Sequence, residues 1–504
     1  MTHPPPPESG SSLPSHSDRL FNGTLWMVAM RWGMRLVGLI SIAVLARLLD
    51  KEDFGLVAMS MAMVALPQAL LEMGAEQAVI RERTPDAATY NTAWTIRAGQ
   101  MALIAGLLFA AAPWIARFYD EARIVEIVQV LALVVFIKGL ENIWVVAFRK
   151  AYDFRRDFLF NMLCKVLAVV VTVVLAFWLR SYWALVYGQL SAAVLRVTLS
   201  FAMAPGVARP TLVRWRLIWS FSQWSLVKGL AVYVVDHGDR LALGRMTGTE
   251  TVGAYTLARE IAAMPISEIA MPVNRALAPG FSSLQSEPVR LAKAIAKSIG
   301  AVSTVLFPIA VGLALTAEHL VPVALGPGWT EVVPLLQLLA VSALFAGVRA
   351  VLGNTLTVIG HIRTAAVAMW MRAAMLVAFG IPAVMALGGL GMAGAFLVSE
   401  ALALAILLGF FRHHVPALSF RALAAAMLRP AVAVGLMAAV VTLVARVPSE
   451  SAILLLTLEG AAGVLTYGVV LLTLWILQGR PDGLERMAVT RLPAPRRLRV
   501  RLSG

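Results

Sequence analysis

Apolar residues run in blocks of about twenty along nearly the whole chain, and short polar gaps between the blocks carry most of the charge. A block of that length, coiled as a helix, crosses the roughly 30 Å hydrocarbon core of a bilayer. The pattern predicts an all-α integral membrane protein with about fourteen transmembrane helices, at roughly 23–48, 54–78, 95–116, 124–148, 158–179, 183–204, 221–244, 252–273, 295–317, 331–358, 365–387, 391–411, 429–447 and 452–477. Three of these carry helix breakers, Pro67, then Pro265 and Pro272, then Gly353 with Asn354. Such breaks survive in a membrane where neighbouring helices or a wet cavity satisfy the freed backbone groups. No outer loop exceeds about 15 residues and no soluble domain interrupts the helices.

The segment from Trp26 to Ala78 aligns without gaps to Trp224 to Ala276. Trp26 meets Trp224, Arg47 meets Arg245, Glu52 meets Glu250, Gly55 meets Gly253, Pro67 meets Pro265 and Met73 meets Met271. Both copies place Arg-x-x-x-x-Glu-x-x-Gly at an outer turn, and six predicted helices separate them, so they share one orientation. Parallel repeats of this kind imply two lobes related by an axis along the membrane normal. The expected organisation is a cytoplasmic tail at 1–22, a six-helix lobe at 23–204, a linker at 205–220 and a second six-helix lobe at 221–412. Helices 13 and 14 follow at 413–478, then a basic cytoplasmic tail at 479–504.

Composition agrees: 60% of residues are hydrophobic and 14% charged, with a mean hydropathy of +0.79. The net charge of +15 would suggest nucleic acid in a soluble chain. Here the basic residues sit in the gaps between apolar blocks. With the N-terminus cytoplasmic, the inner loops hold seventeen Lys and Arg and the outer loops seven, and the C-terminal tail adds seven more inside. Both termini are therefore expected in the cytoplasm. The tail PAPRRLRVRLSG suits anionic headgroups and lacks the aromatics of a nucleic-acid site. The Pro- and Ser-rich N-terminus reads as disordered, with no cleavable signal peptide. Cys164, the one cysteine, lies in an apolar block and is read as packing; no Cys/His metal spacing exists and no cofactor is expected.

A charged side chain at mid-bilayer costs about 2.5–3.5 kcal/mol on insertion scales, so those present call for partners, a cavity or a ligand. Arg31 and Arg35 share one face of the first helix; they face a cavity, snorkel, or pair with Glu72 and Glu76. The seventh helix carries Lys228, Asp236, His237, Asp239 and Arg240, with Asp236 and Arg240 spaced to pair and His237 a candidate for proton coupling. The eighth carries Arg259, Glu260 and Glu268, with Arg275 on the face of Glu268. Lys138 with Glu141, Lys165, Arg196, Arg349, Arg372 and Glu400 are read as local partners. Cations outnumber anions overall, which suits an anionic substrate such as a phosphate-bearing lipid and disfavours a drug-cation antiporter.

The segment LARLLDKEDFGLVAMSMAMVALPQALLEMGAEQAVI resembles the first hairpin of Wzx-type polysaccharide-unit flippases, and DHGDRLALGRMTGTETVGAYTLARE resembles their seventh-helix turn. The resemblance implies the multidrug/oligosaccharidyl-lipid/polysaccharide exporter fold: two six-helix bundles around a central cavity, with two helices appended. It implies a flippase moving undecaprenyl-diphosphate-linked oligosaccharide units across the bacterial inner membrane by alternating access, for O-antigen, capsule or exopolysaccharide export. Polysaccharide polymerase and chain-length proteins are then candidate partners. Arg31, Arg35, Lys228 and Arg259 are the expected substrate-binding residues, chosen by position. Asp236, Asp239, Arg240 and Glu268 are the coupling or gating candidates. A lipid II flippase or drug/cation antiporter of the same fold is the alternative, and a membrane-embedded glycosyltransferase or polymerase is disfavoured by the short outer loops.

Overall fold

The computed structural model describes residues 16–71, 75–82, 84–151, 153–215, 223–270, 273, 277, 280–448 and 451–479. Both tails and the residues Glu72 and Arg275 lie outside the described residues. The described chain is helical: α1 (His16–Leu48), α2 (Lys51–Leu71), α3 (Ala75–Arg81), α4 (Ala87–Tyr119), α5 (Ile124–Gly139), α6 (Val146–Lys150), α7 (Phe154–Leu179), α8 (Trp183–Met203), α9 (Gln223–Met246), α10 (Thr249–Pro265), α11 (Pro288–Leu315), α12 (Ala317–Ala324), α13 (Val332–Val358), α14 (Ile362–His414), α15 (Phe420–Val444) and α16 (Ala452–Leu477). Nine of these, among the described residues, are long and apolar enough to cross a membrane. The outward faces stay apolar: Leu163, Val170, Val174 and Phe177 of α7 are exposed, as they must be where the solvent is lipid.

Where the elements differ from the sequence expectation, local chemistry explains it. The fourth predicted helix is broken. α5 stops at Gly139, and Asn142 starts a 3₁₀ turn, Ile143–Val145, by accepting the Trp144 amide at 3.2 Å. The Asn142 amide donates to Ser200 Oγ at 2.9 Å, so the freed backbone is satisfied by a neighbouring helix. α4 starts eight residues before the expected 95, because Asp86 caps it: the Thr89 amide donates to Asp86 Oδ1 at 2.8 Å. Arg97, counted from sequence as a loop charge, therefore lies well inside α4. Conversely, α13 runs through Gly353 and Asn354 without a break. The roughly 1 kcal/mol cost of a helix glycine is small beside the burial of Val351, Leu352, Thr355 and Leu356 around it. Pro265 does end α10, which passes into a π turn at Ile266–Ala270.

α14 is 53 residues long, and as a straight helix would span roughly 80 Å, far more than a bilayer. It folds back at Gly388, whose φ of 56° and ψ of −130° only glycine adopts readily. Its two halves are the predicted helices 365–387 and 391–411. Gly391 permits the return, since a β-carbon there would overlap the Ala383 carbonyl.

The chain divides into two compact units. The first comprises Met1–Leu49, Leu66–Arg117 and Glu121–Val227. Within it, α7 packs on α1 and α8, and α5 on α8. The segment after α8 is laid along the start of α4: the Thr211 amide donates to Thr95 Oγ1 at 2.9 Å and Arg214 pairs with Asp86 at 3.0 Å. The Thr89 hydroxyl and amide and the Arg214 guanidinium hold the Asp86 carboxyl down at about 2, so this tie is ionised at every physiological pH.

The second unit comprises Asp50–Ala65, Phe118–Asp120 and Lys228–Gly504. Its core joins α11, α13, the second half of α14, α15 and α16 through Ile299, Leu306, Val351, Phe411, Met437 and Leu471. The start of α2 crosses the start of α10 in this unit, and the crossing is reciprocal. A β-carbon on Gly55 would overlap the Thr249 carbonyl, and one on Gly253 would overlap the Lys51 carbonyl. Gly55 and Gly253 are repeat equivalents, and so are Lys51 and Thr249. Around them Lys51 pairs with Glu331 at 2.9 Å, Phe54 meets Trp329 edge-to-face at 5.5 Å, and Tyr233 Oη donates to the Ala62 carbonyl at 3.0 Å.

Replacing Gly55 or Gly253 with alanine should cost about 1–3 kcal/mol, the range for overpacking, whereas Gly353→Ala, open around its Cα, should be neutral or stabilising. Thermal unfolding of the purified variants in one detergent measures the difference.

Candidate functional site

Each unit buries one carboxylate that holds two guanidiniums from other helices. In the first unit, Glu141 is 4% exposed and sits at the break after α5. It accepts from Arg97 of α4 at 2.9 Å and from Arg196 of α8 at 2.8 Å. Arg196 also stands 5.1 Å from the Phe160 ring centroid. The sequence paired Glu141 with Lys138; the structure gives it two arginines instead. The N-capping pattern Asp86-x-x-Thr89 is the signal that would have placed Arg97 deep inside its helix rather than at its start.

In the second unit the corresponding anchor is Glu400, 1% exposed, in the second half of α14. Arg349 of α13 donates to it through Nε at 2.6 Å, and Arg372 of the first half of α14 through Nη2. The Phe396 ring, one turn before Glu400, lies between two guanidiniums, Arg372 at 5.5 Å and Arg259 at 4.5 Å. Arg259 in turn pairs with the fully buried Asp239 of α9 and donates to the Val235 carbonyl at 2.9 Å. Arg240 approaches His237 Nδ1 at 3.4 Å. Four guanidiniums (Arg240, Arg259, Arg349, Arg372) thus gather around two buried carboxylates (Asp239, Glu400), with Asp236 of α9 and Glu260 of α10 close enough to act on them electrostatically. The Nε atoms of Arg240 and Arg372 are buried without a hydrogen-bond partner.

Of the expected substrate-binding residues, Arg259 is in this cluster. Arg35 lies in α1 with its Nε buried and unpartnered among the described residues. The side chains of Arg31 and Lys228 lie outside the described residues. Of the coupling candidates, Asp239 and Arg240 join the cluster. Asp236 is exposed and forms no ion pair with Arg240 among the described residues: the Arg240 guanidinium faces His237, one residue nearer along the helix. Glu268 accepts from the Ser267 hydroxyl at 3.1 Å. Glu76, offered from sequence to Arg31 and Arg35, pairs with Arg149. Among the described residues, no three His, Cys, Asp or Glu side chains converge to hold a metal ion.

A family model described as "Polysaccharide biosynthesis protein" matches residues 44–334, more than half of the chain. The chain belongs to the polysaccharide biosynthesis protein family. It is 23% identical over 352 residues to the lipopolysaccharide biosynthesis protein WzxC of Escherichia coli, covering 67% of this chain and 70% of that one. It is 24% identical over 320 residues to the succinoglycan biosynthesis transport protein ExoT of Rhizobium meliloti, covering 63% and 65%. To the teichuronic acid biosynthesis protein TuaB of Bacillus subtilis it is 23% identical over 333 residues, covering 65% and 69%. The chain thus spans about two thirds of the length of these relatives. Among solved structures, the lipid II flippase MurJ in an inward closed conformation superposes with a TM-score of 0.74 at 11% identity, covering 91% of this chain and all of that one. An inward-facing multidrug resistance MATE family transporter superposes with 0.55 at 17%, covering 79% and 95%. At these identities the likeness establishes the fold: an all-α, multi-pass membrane transporter architecture of the MurJ and MATE type.

Removing one member of a buried ion pair leaves the other charge uncompensated and costs about 3–5 kcal/mol. Glu400→Gln should therefore destabilise strongly, while Glu400→Met combined with Arg349→Met and Arg372→Met should recover much of the loss. Unfolding midpoints of the single and triple variants, read at equal detergent, test the coupling.

Proposed function

We propose that this protein is a flippase that carries undecaprenyl-diphosphate-linked oligosaccharide repeat units from the cytoplasmic to the periplasmic leaflet of the bacterial inner membrane, for export of a surface polysaccharide. It is a transporter and not an enzyme: the named relatives serve polysaccharide biosynthesis, one as a transport protein, and the fold is that of transporters. The observation that carries the reading is the set of arginine Nε atoms, on Arg35, Arg240 and Arg372, that lie buried without a hydrogen-bond partner inside a membrane-embedded fold. A diphosphate taken into hydrocarbon alone loses hydration worth tens of kcal/mol; arginines with unspent donors replace that hydration with charge-assisted hydrogen bonds.

Arg35 and Arg259 contact the diphosphate in this reading, with Arg31 and Lys228. Asp239 holds Arg259 in place between visits of the substrate, and exchange of Arg259 between Asp239 and diphosphate links occupancy to helix position. Asp236, Arg240 and Glu268 complete the coupling set. The lobes are 23–204 and 221–412, and they rock in alternating access. The reciprocal glycine crossing of α2 and α10, at the outer turn by the charge distribution, closes the periplasmic side. Both termini are cytoplasmic, and polymerase and chain-length proteins receive the product. A cation antiporter would want surplus carboxylate, whereas the charged residues within the apolar blocks are biased towards cations. A lipid II flippase also handles a diphosphate lipid; the family match supports the polysaccharide branch.

Deleting the gene should make lipid-linked repeat units accumulate on the cytoplasmic side while surface polysaccharide disappears. Arg35→Ala, Lys228→Ala and Arg259→Ala, each present at normal level, should each reduce export at least tenfold. Loss of polysaccharide without intact lipid-linked precursor would place the defect in an upstream enzyme and reject the proposal. Restoration of growth in a strain lacking its lipid II flippase, without effect on surface polysaccharide, would select the alternative.

A further inference from the structure

The second unit holds an open, mostly apolar cavity of about 350 Å³, to which Asp239 of the charged cluster contributes lining and whose apolar remainder the transport reading does not use. One wall is a single face of α9: Val234, Gly238, Ala242 and Arg245 with Met246. Gly238 and Ala242 are four residues apart, so their small side chains cut a trough along the helix. A β-carbon on Gly238 would touch only Val234 Cγ1, at 3.6 Å; the space beside the glycine is otherwise empty. The facing wall comes from the first half of α14, with Val377 44% and Ile381 43% exposed, and Phe118 of α4, 42% exposed, closes one side. Half-exposed Val, Ile and Phe in a membrane fold mean that the trough opens to lipid.

Its length and its polar end define what fits. From Val234 to Met246 the helix rises roughly 18 Å, close to the roughly 15 Å of hydrocarbon in one leaflet. Arg245 is the penultimate residue of α9, beside the Thr247–Gly248 turn, where a membrane-spanning helix of this length reaches the interface. Its side chain is exposed and makes no ion pair among the described residues. A trough one leaflet long with a free guanidinium at its interfacial end matches a phosphate-headed lipid with an ordinary acyl chain. A C55 isoprenoid is several times longer than the trough.

We propose that this trough is a binding site for one glycerophospholipid of the bilayer, an acyl chain lying along Gly238 and Ala242 and the phosphate on Arg245. The lipid braces α9 against the first half of α14, the two helices that carry Asp239 and Arg372. The site requires a membrane-spanning fold and does not depend on which substrate the protein transports.

Native mass spectrometry of the purified full chain, washed in detergent and titrated with phosphatidylglycerol, tests the site. The wild type should keep one tightly held phospholipid. Gly238→Leu fills the trough and removes a helix glycine, so the variant should fold and lose that lipid. Arg245→Gln should weaken phosphatidylglycerol binding at least fivefold. A phospholipid with a diazirine near the end of its acyl chain should crosslink to α9 between Val234 and Ala242 in the wild type. Equal lipid retention by wild type and Gly238→Leu would overturn the proposal, as would crosslinking that excess undecaprenyl phosphate removes and excess phosphatidylglycerol does not. If Gly238→Leu proves unstable, Ala242→Leu and Arg245→Gln decide alone on the same readouts.

Discussion

The fold rests on carboxylates that cannot reach water. Glu400 is buried between α13 and both halves of α14, and its negative charge is tolerable only because Arg349 and Arg372 donate to it. The dependence is mutual, since neither guanidinium could sit there alone. One carboxylate thus ties three helical segments that no hydrophobic term would bring together in lipid, where apolar helix faces gain little by leaving hydrocarbon for one another. Glu141 does the same for α4, α8 and the break after α5 in the first unit. These ties fix the azimuth of each helix, and azimuth decides which side chains face inward.

Anchored this way, the second unit gathers a cluster of charges from α9, α10, α13 and α14. Two carboxylates fix the directions of four arginines, and Phe396 separates two of them with an aromatic face that cations favour. Arg259 is held by Asp239, and in the proposed reading the same guanidinium meets the substrate. The glycine crossing of α2 and α10 supplies the other requirement, close backbone approach without bulky side chains. Small residues let membrane helices pack backbone to backbone, and here the two repeat copies each contribute one glycine and one carbonyl.

Much of this was legible in the chain. Segments of apolar residues marked the helices, because the bilayer demands about twenty of them per crossing. The repeat showed in Gly55 and Gly253, whose structural roles are equivalent. Pro265 marked a real helix end. Gly353 and Asn354 did not, since burial of their neighbours outweighs their poor propensity. The break at Glu141–Asn142 follows Gly139 and is capped by Asn142, signals too weak inside an apolar block to stand out; Ser200 of another helix stabilises it.

For the site, the sequence named the charged residues inside the membrane and their cationic bias, because an ionisable side chain in an apolar block is conspicuous whatever it contacts. It also placed Arg349, Arg372 and Glu400 among groups needing partners. Which cation meets which anion was decided only by tertiary structure. Arg259 reaches Asp239 across twenty positions, Arg372 reaches Glu400 across a hairpin, and Arg240 turns to His237 rather than Asp236. Spacing within one helix fixes a shared face, but partners on different helices are set by packing and by the hairpin at Gly388. The sequence by itself determined that this chain lives in a membrane and carries surplus positive charge there; the fold decided which of those charges are spoken for.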